Sequence, residues 1–259
     1  MTVLYVLGSG SKGNCAAVRH EGQTILLDAG FSAREIGRRA RDVGLPLDSV
    51  IAIALTHEHG DHTAGAASLA RQLNVPVIAS TGTWDRLRPK FAASRFIPAV
   101  LMGEVSVGPF RVRCCAVSHD AAEPIAIRVE TPDGVSLALA TDVGRTTTAL
   151  RWLMAGVHAL VLEANHDEVL LRTSRYPASV QERIVGSGGH LSNRAAAELL
   201  GELMHPGLRL VVLAHLSERC NTADEARRTI GPVLEAAGFQ GGFEVALQHR
   251  PLHPLSIAG

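Results

Sequence analysis

The sequence has no excess of charge of either sign, since 25 lysines and arginines balance 25 aspartates and glutamates in 259 residues. This balance excludes a general electrostatic attraction to nucleic acid, so any phosphate-binding surface has to be a local patch. Lysine itself is nearly absent, because only Lys12 and Lys90 are lysines. The other basic residues are arginines, whose planar guanidinium groups bind a phosphate through two parallel hydrogen bonds.

The sequence also lacks the segments that direct a chain to a membrane. It contains no apolar run of transmembrane length, and residues 1–7 have neither the basic flank nor the small-residue cleavage site of a signal peptide. No C-x-x-C pair occurs among the four cysteines, which are Cys15, Cys114, Cys115 and Cys220. We therefore expect a cytoplasmic protein with reduced, buried thiols and no membrane partner.

Short strand-like runs alternate with helical patterns along the chain, which is typical of an α/β fold. Strands are predicted at 3–7, 24–28, 50–55, 75–79, 110–117, 124–130, 136–141, 159–162, 210–214 and 243–247. Helices are predicted at 33–43, 64–73, 147–154, 178–185, 194–204 and 223–237. Because no repeat, low-complexity tract or long linker divides the chain, we predict a single domain over residues 1–259 with two mixed sheets packed together and helices outside.

A dense cluster of metal-competent side chains follows the predicted strand at 50–55. It reads His57-Glu58-His59-Gly60-Asp61-His62, so three imidazoles and an aspartate lie within six residues. Imidazole and carboxylate are the ligands expected for zinc or a similar first-row ion. One histidine beside an apolar run is usually a surface or core residue, but four such groups so close together favour a metal site.

Four further predicted strands end in side chains that bind metals or carry protons, namely His119, Asp142, Glu163 and His215. A polar residue at the exit of a single strand is ordinary. Functional sites are commonly built at such exits, on loops that a rigid scaffold positions. Together with the motif at 57–62, the four exits indicate one shared site.

The order H-x-H-x-D-H, then His, Asp and His, resembles the metallo-β-lactamase fold superfamily. More closely, the chain resembles the YycJ/WalJ-like branch, which consists of DNA exonucleases, in the segments LGSGSKGNC (7–15), THEHGDH (56–62), SHDAAEP (118–124), EANHD (163–167), GHLSN (189–193) and HLS (215–217). These segments span most of the chain. The resemblance implies a metallo-β-lactamase αββα sandwich, in which two mixed β-sheets pack face to face with helices outside.

The resemblance also implies a complete set of ligands for two divalent metal ions. Each ion takes three residues of its own, which are His57, His59 and His119 for one ion and Asp61, His62 and His215 for the other. Asp142 would bridge the two ions. Imidazole and carboxylate ligands suit Zn²⁺, which we expect here, and they also suit Mn²⁺.

Two such ions can share a bridging hydroxide and clamp a tetrahedral phosphorus centre. Asp61 would bind metal and also orient the hydroxide. Glu163 and His190 resemble the Glu–His couple that protonates the leaving oxygen in the tRNA 3′-processing branch, and a carboxylate beside an imidazole favours the protonated form that a general acid needs. The alternative for this pair is structural, with Glu163 capping a loop and His190 capping a helix.

Four polar residues are candidate substrate contacts: Ser11 and Asn14 in the glycine-rich loop after the first strand, and Asn165 and His166 directly after Glu163. A second group could follow a nucleic-acid strand, with a tyrosine for stacking, or could simply form a solvated helix face. Its members are Arg172, Arg175, Tyr176 and Arg183.

We predict a metal-dependent phosphodiesterase, specifically a DNA 5′→3′ exonuclease that uses a metal-bridged hydroxide and takes nucleic acid, DNA above all, as substrate. The first alternative is an RNA-processing or small-molecule phosphodiesterase on the same metal core, since a fold does not decide among substrates. The second is a metal-stabilised binding protein without activity, and the complete ligand set argues against it. No pattern in the sequence indicates an oligomeric state.

Overall fold

A computed structural model describes residues 1–91 and 94–257 of the protein. Residues 92–93 and 258–259 of the domain predicted over 1–259 lie outside the described residues. No helix within the described ranges is both long enough and apolar enough to cross a bilayer.

The first of two seven-stranded sheets is built mainly from the N-terminal part of the chain. Its strands are β1 (Thr2–Gly8), β2 (Cys15–His20), β3 (Gln23–Leu27), β4 (Val50–Ala54), β5 (Val77–Ala79), β6 (Phe96–Pro98) and β14 (Leu255–Ile257). They lie in the order β14-β1-β2-β3-β4-β5-β6. Pairing is antiparallel from β14 to β3 and parallel from β3 to β6, so the sheet is mixed.

The second sheet is also mixed. Its strands are β7 (Glu104–Val107), β8 (Phe110–Ala116), β9 (Ile125–Glu130), β10 (Ser136–Ala140), β11 (Ala159–Glu163), β12 (Leu210–Ala214) and β13 (Gly242–Val245), in the order β13-β12-β11-β10-β9-β8-β7. Strands β10 to β13 pair in parallel and β7 to β10 antiparallel. Every residue of β10, β11 and β12 is buried, as expected for strands covered on both faces.

The helices of the described residues are α1 (Ala33–Asp42), α2 (Gly60–Thr63), α3 (Ala66–Leu73), α4 (Thr81–Leu87), α5 (Thr148–Met154), α6 (Glu168–Arg172), α7 (Ala178–Val185), α8 (Asn193–Leu203) and α9 (Ala223–Ala236). Side chains cap the start of several of them. Ser32, Ser192 and Thr222 each accept a hydrogen bond from the backbone N–H three residues on, which satisfies one of the donors that a helix start leaves free.

Three apolar clusters hold four layers together. The central cluster joins alternate residues of both sheets, including Ile25 of β3 and Val212 of β12. One outer cluster packs α5, α8 and α9 on the second sheet, and the other packs α1 and α3 on the first. Helices therefore cover both outer faces of the paired sheets, and the predicted αββα sandwich is confirmed.

Some elements were not predicted. Strand β2 falls in a segment of small residues that lacks a clear alternation, and β6, β7 and β14 are only three or four residues long. Helix α4 contains glycine and β-branched threonine, which disfavour helix, but its Thr83 and Leu87 are buried. Tertiary packing outweighs local propensity there, and sequence periodicity does not show it.

Candidate active site

Loops at the ends of strands from both sheets meet at one place. The first sheet contributes residues 57–62 after β4 and the second contributes His119, Asp142 and His215 after β8, β10 and β12. The carboxyl ends of neighbouring parallel strands lie along one edge of a sheet, which is why these exits converge. A cavity of about 370 Å³ opens over them.

Two groups of metal-competent atoms lie side by side at the base of this cavity, with His57 and His62 buried beneath its lining. Nitrogen atoms of His57, His59 and His119 lie within 4.8 Å of one another, and so do ligand atoms of Asp61, His62 and His215. Asp142 reaches both groups. Its Oδ2 is 2.9 Å from His62 Nε2, and its Oδ1 is 3.5 Å from His119 Nε2 and 3.6 Å from His215 Nε2. The structure thus brings together all seven residues predicted as ligands, and the bridging role of Asp142 stays a prediction.

Hydrogen bonds fix the orientation of three of these imidazoles. The Nδ1 atom of His62 is 2.7 Å from Asp28 Oδ2, that of His119 is 3.1 Å from the Gly189 carbonyl oxygen, and that of His215 is 2.9 Å from Glu163 Oε1. Each partner is an acceptor, so the ring proton sits on Nδ1 and leaves the lone pair on Nε2, which for His119 and His215 lies in the wall of the cavity and for His62 lies beside Asp142. This is the arrangement that outer partners impose on metal-binding histidines.

The residues fit a pair of cations, because acceptor atoms of several of them face one another. Among the described residues, the buried atoms Asp142 Oδ2 and His215 Nε2 have no hydrogen-bond partner. His57 Nε2 lies 3.0 Å from His59 Nδ1, so two ring nitrogens point at each other. Buried acceptors in this state are costly unless a positive charge lies among them, and divalent ions would supply it.

The protonation of these groups also matches a cation site. Burial lowers the pKa of His57 and of His119, so both imidazoles are neutral as ligands must be. Burial opposes charge on His215 too, but the nearby Asp142 carboxylate outweighs it and raises the pKa of His215 to about 10. The carboxylates therefore attract positive charge to this centre, which bound metal would provide in place of protons.

Backbone conformation marks the site as well. The backbone angle φ is 59° at Asp28, 58° at Asp142 and 55° at His215. All three values lie in the left-handed region, which residues other than glycine rarely adopt. Each follows a strand end and aims its side chain at the same centre. Strained conformations of about 1–3 kcal/mol each persist where the surrounding structure demands them, and they concentrate at functional sites.

Asp28 is a functional residue that the sequence reasoning missed. Its carboxylate is buried and accepts hydrogen bonds from the Thr56 backbone N–H and hydroxyl, 2.8 and 2.9 Å away, besides holding His62. The signal was present, since Asp28 ends an apolar strand just as His215 does. It was overlooked because no histidine or second carboxylate stands next to it in the sequence.

Glu163 is held by four donors. Its Oε2 accepts from the backbone N–H of Val143 and of Leu191, at 2.8 and 3.1 Å, while its Oε1 lies 2.8 Å from His190 Nδ1 and 2.9 Å from His215 Nδ1. A carboxylate so occupied orients other groups better than it binds metal. The predicted contact of Glu163 with His190 is present.

His190 stands at the wall of the cavity with its Nε2 free of Glu163. Burial disfavours its charged form, but the Glu163 carboxylate outweighs this and raises the pKa of His190. Its ring lies 5.3 Å from that of His119 and 5.2 Å from that of His215, measured between centroids. An imidazole whose charged form is favoured in this way, beside the metal-competent groups, is a candidate proton donor to a substrate oxygen.

The glycine-rich loop after β1 supports the site. Ser11 lines the cavity, whereas Asn14 is buried, with its Oδ1 accepting from Ser9 Oγ at 2.7 Å and its Nδ2 3.1 Å from His62 Nε2. Ser9 Oγ in turn accepts from the His215 backbone N–H at 2.8 Å. Asn14 therefore links the loop to the second metal group, and Ser11 is the residue open to substrate.

The other candidate contacts separate into two regions. Asn165 lines the metal cavity and donates from Nδ2 to the His215 carbonyl oxygen at 2.9 Å, while His166 lines a neighbouring cavity. Tyr176 and Arg183 line the metal cavity, and Arg172 lies in the lining of the neighbouring one. Arg175 is exposed and lines neither.

We expect Cys15→Ser and Cys220→Ser to retain normal metal content. Both thiols are buried and free, and neither belongs to a metal-competent group of the described residues. A buried hydroxyl costs about 1–3 kcal/mol, so the melting temperature should fall while metal analysis is unchanged. Loss of metal in either variant would add a thiolate to the ligand set.

Gly30→Ala should disturb the metal loop directly. A Cβ at this position would lie 1.6 Å from the Asp61 carbonyl oxygen and 2.7 Å from the Asn14 backbone nitrogen. Overpacking of this kind typically costs about 1–3 kcal/mol or more, so we expect a melting temperature lower by about 5 °C and reduced metal content. Gly60→Ala, at the start of α2 beside Asp61 and with nothing within 4 Å of its Cβ, is the matched control. Equal behaviour of the two variants would contradict this packing argument.

Comparisons with known proteins agree with the fold and the site. The family described as "Beta-lactamase superfamily domain" matches residues 23–236. The chain is 36% identical over 247 residues to Exodeoxyribonuclease YycJ of Bacillus anthracis, covering 93% of this chain and 92% of the relative. It is 30% identical over 248 residues to Exodeoxyribonuclease WalJ of Streptococcus pneumoniae, covering 92% of this chain and 90% of the relative.

The chain is also similar to two more distant proteins. The chain is 26% identical to Ribonuclease Z of Streptomyces coelicolor, over 94% of each protein. The metallo-β-lactamase fold protein YhfI of Bacillus subtilis superposes with a TM-score of 0.73 at 16% identity, over 98% of this chain and 100% of that one. At this identity the likeness to YhfI shows the fold alone.

The protein belongs to the β-lactamase superfamily domain family, whose members are metal-dependent hydrolases built on this sandwich. Within it, the length and identity of the matches to the two exodeoxyribonucleases assign the chain to the YycJ/WalJ-like branch. The protein is accordingly an enzyme, and its His/Asp clusters are groups that could bind metal.

Proposed function

We propose that the protein is a DNA exonuclease that works in the 5′→3′ direction on a dinuclear metal centre. The observation that carries the proposal is the pairing of two ligand groups around Asp142, with the Glu163–His190 couple beside them. The names of two relatives, both exodeoxyribonucleases at 30% identity or more, support DNA as the substrate. We also propose that residues 1–259 form a single domain that contains the whole site.

His57, His59 and His119 would hold one ion, Asp61, His62 and His215 the second, and Asp142 both. The ions, when bound, supply a hydroxide at neutral pH and neutralise charge at phosphorus. We propose Zn²⁺ as the metal because imidazole nitrogens dominate the ligand set, with Mn²⁺ as the alternative.

The residues of the chain divide the remaining work. The carboxylate of Asp61 faces the cavity and would orient the attacking oxygen. His190, held through Nδ1 by Glu163, would donate its Nε2 proton to the leaving O3′. Ser11 and Asn165 line the cavity where phosphate oxygens would lie, so they are candidate substrate contacts, while the buried Asn14 supports the loop.

Purified protein assayed on end-labelled DNA, on RNA of the same sequence and on bis-p-nitrophenyl phosphate tests this function. We expect metal-dependent release of nucleotides from DNA that a chelator stops, and a block at the 5′ end but not at the 3′ end should prevent it. Metal analysis of the untreated protein reports which ion it carries. Release that starts from the 3′ end, or no release from DNA, would overturn the proposal.

A second candidate is RNA processing, since Ribonuclease Z of Streptomyces coelicolor is similar over 94% of each protein. Faster cleavage of RNA than of DNA in the same assay would favour it. The free, buried state of all four cysteines supports a reducing compartment, and we propose the cytoplasm as the place of the reaction.

A further inference from the structure

A second cavity of about 670 Å³ lies next to the metal cavity. Of the described residues, His190 alone lines both cavities. The side of His190 away from the metal-competent groups therefore opens into a separate space, which is within the size range of ligand sites.

Helix α7 divides the two cavities. Val180, Arg183 and Ile184 line the metal cavity, while Ala178 and Val185 line the second one. No residue of α7 is buried, so the helix is in contact with open space on two faces. The helix therefore forms a wall between the two cavities and contributes no buried residue to a core.

The walls of the second cavity favour an uncharged, partly apolar occupant. Leu171 and Leu191 offer aliphatic surface, while Gln181 and Ser192 offer hydrogen-bonding groups. Glu168 also lines the cavity, and its Oε1 already accepts from Arg194 Nε at 3.0 Å and from Ser192 Oγ at 3.1 Å. The two carboxylates of the wall, on Glu168 and Glu182, are balanced by the guanidinium groups of Arg172 and Arg194, so these side chains give no excess of positive charge for a phosphate. A base with its sugar suits the aliphatic faces and polar edges of the wall.

His166 supplies an independent sign that the cavity takes a polar ligand. The residue lines the cavity at 2% exposure, and its Nδ1 has no hydrogen-bond partner among the described residues. A buried imidazole without a partner is costly, and such exceptions call for a ligand or a function. The edge of a base carries donors and acceptors that an imidazole can meet.

We propose that the second cavity binds the nucleoside on the leaving side of the cleaved phosphate, which for a 5′→3′ exonuclease is the 5′-terminal one. This inference rests on the proposed function. As the attacking oxygen bonds to phosphorus, the P–O3′ bond breaks and its electron pair goes to O3′, which takes the proton from His190 Nε2. The nucleoside that carries O3′ must then lie against His190, and the second cavity is the space on that side.

Ala178→Trp tests the proposal, with Ser179→Trp as the matched control. Both residues are exposed on α7, but Ala178 lines the second cavity and Ser179 lines neither. The probe is a DNA strand with 2-aminopurine at its 5′ end and a hydrolysis-resistant linkage beside it, added to the metal-loaded protein. We expect the fluorescence of the probe to change when it binds the wild type or Ser179→Trp, but not when Ala178→Trp is added. When 2-aminopurine is the third base from the 5′ end, the three proteins should give the same signal.

Kinetics give a second arm. Ala178→Trp should lower kcat/KM on DNA by about tenfold, the cost of excluding one buried base, with bis-p-nitrophenyl phosphate unaffected. A strand with an abasic 5′-terminal residue should already be about tenfold poorer for the wild type, and Ala178→Trp should add no further loss. Wild-type behaviour of Ala178→Trp in both arms, or an equal loss on the small substrate, would overturn the proposal. If the wild type does not cleave DNA, the proposed function is wrong. The fluorescence experiment would then still show whether the second cavity binds the 5′-terminal base.

Discussion

Asp142→Ala is expected to lose at least one metal ion and to lower turnover by more than about 100-fold, since even outer partners of metal ligands are typically worth 10–100-fold. Asp142 is buried and reaches His62, His119 and His215, so removing it affects both ligand groups. Metal analysis and kcat on DNA measure the two effects.

Asp142→Asn is the matched control for the fold. Asparagine tolerates the left-handed φ of 58° at this position but offers no anionic oxygen. The melting temperature of metal-free Asp142→Asn should therefore equal or exceed that of the metal-free wild type, although the metal content and activity of the variant fall. Two ions retained with normal turnover in either variant would refute the bridging assignment.

His190→Ala is expected to keep its metal and to lose about 10²–10⁴-fold in rate on DNA, the usual worth of a positioned proton donor. The reason is that His190 is bonded to Glu163 through Nδ1, and Glu163 is already occupied by four donors. We therefore expect the side chain to serve proton transfer and not to hold an ion, although its ring lies in a metal-competent group with Asp142, Glu163 and His215, and metal analysis of the variant decides between the two roles.

The leaving group provides the control for this prediction. p-Nitrophenolate leaves without a proton, so bis-p-nitrophenyl phosphate should recover much of the activity that His190→Ala loses on DNA. Glu163→Gln should instead lower the rate on both substrates, because the amide NH2 would replace an oxygen that accepts from two donors and because Glu163 also orients His215. An equal loss on both substrates in His190→Ala would assign His190 to binding or folding.

Much of the fold and the ligand set can be read from the sequence because each ligand follows an apolar strand. His57 and His62 stand in one dense motif, and Asp142 and His215 each come at or just after the end of a fully buried strand. Such positions are local patterns, visible without knowledge of the pairing. The family resemblance then supplied which of them share an ion.

The contacts that cross the chain could not be read in this way. Asp28 holds His62 across 34 positions, and Asn14 faces His62 across 48. His166, one residue after Asn165, lines a different cavity because the chain turns at that point to pair with Ser192. Each of these contacts depends on where separate loops meet in the fold, and the periodicity of the sequence does not predict that.

The two ligand groups each draw from both sheets: His57 and His59 from the first sheet meet His119 from the second, and Asp61 and His62 meet His215. Bound ions would therefore join two halves that otherwise meet through an apolar interface and a few hydrogen bonds, such as the one from the His215 backbone N–H to Ser9 Oγ. Free metal at 100 times its dissociation constant would add about 2.7 kcal/mol per site to the free energy of unfolding, so ions held here would also oppose any shift of one sheet against the other.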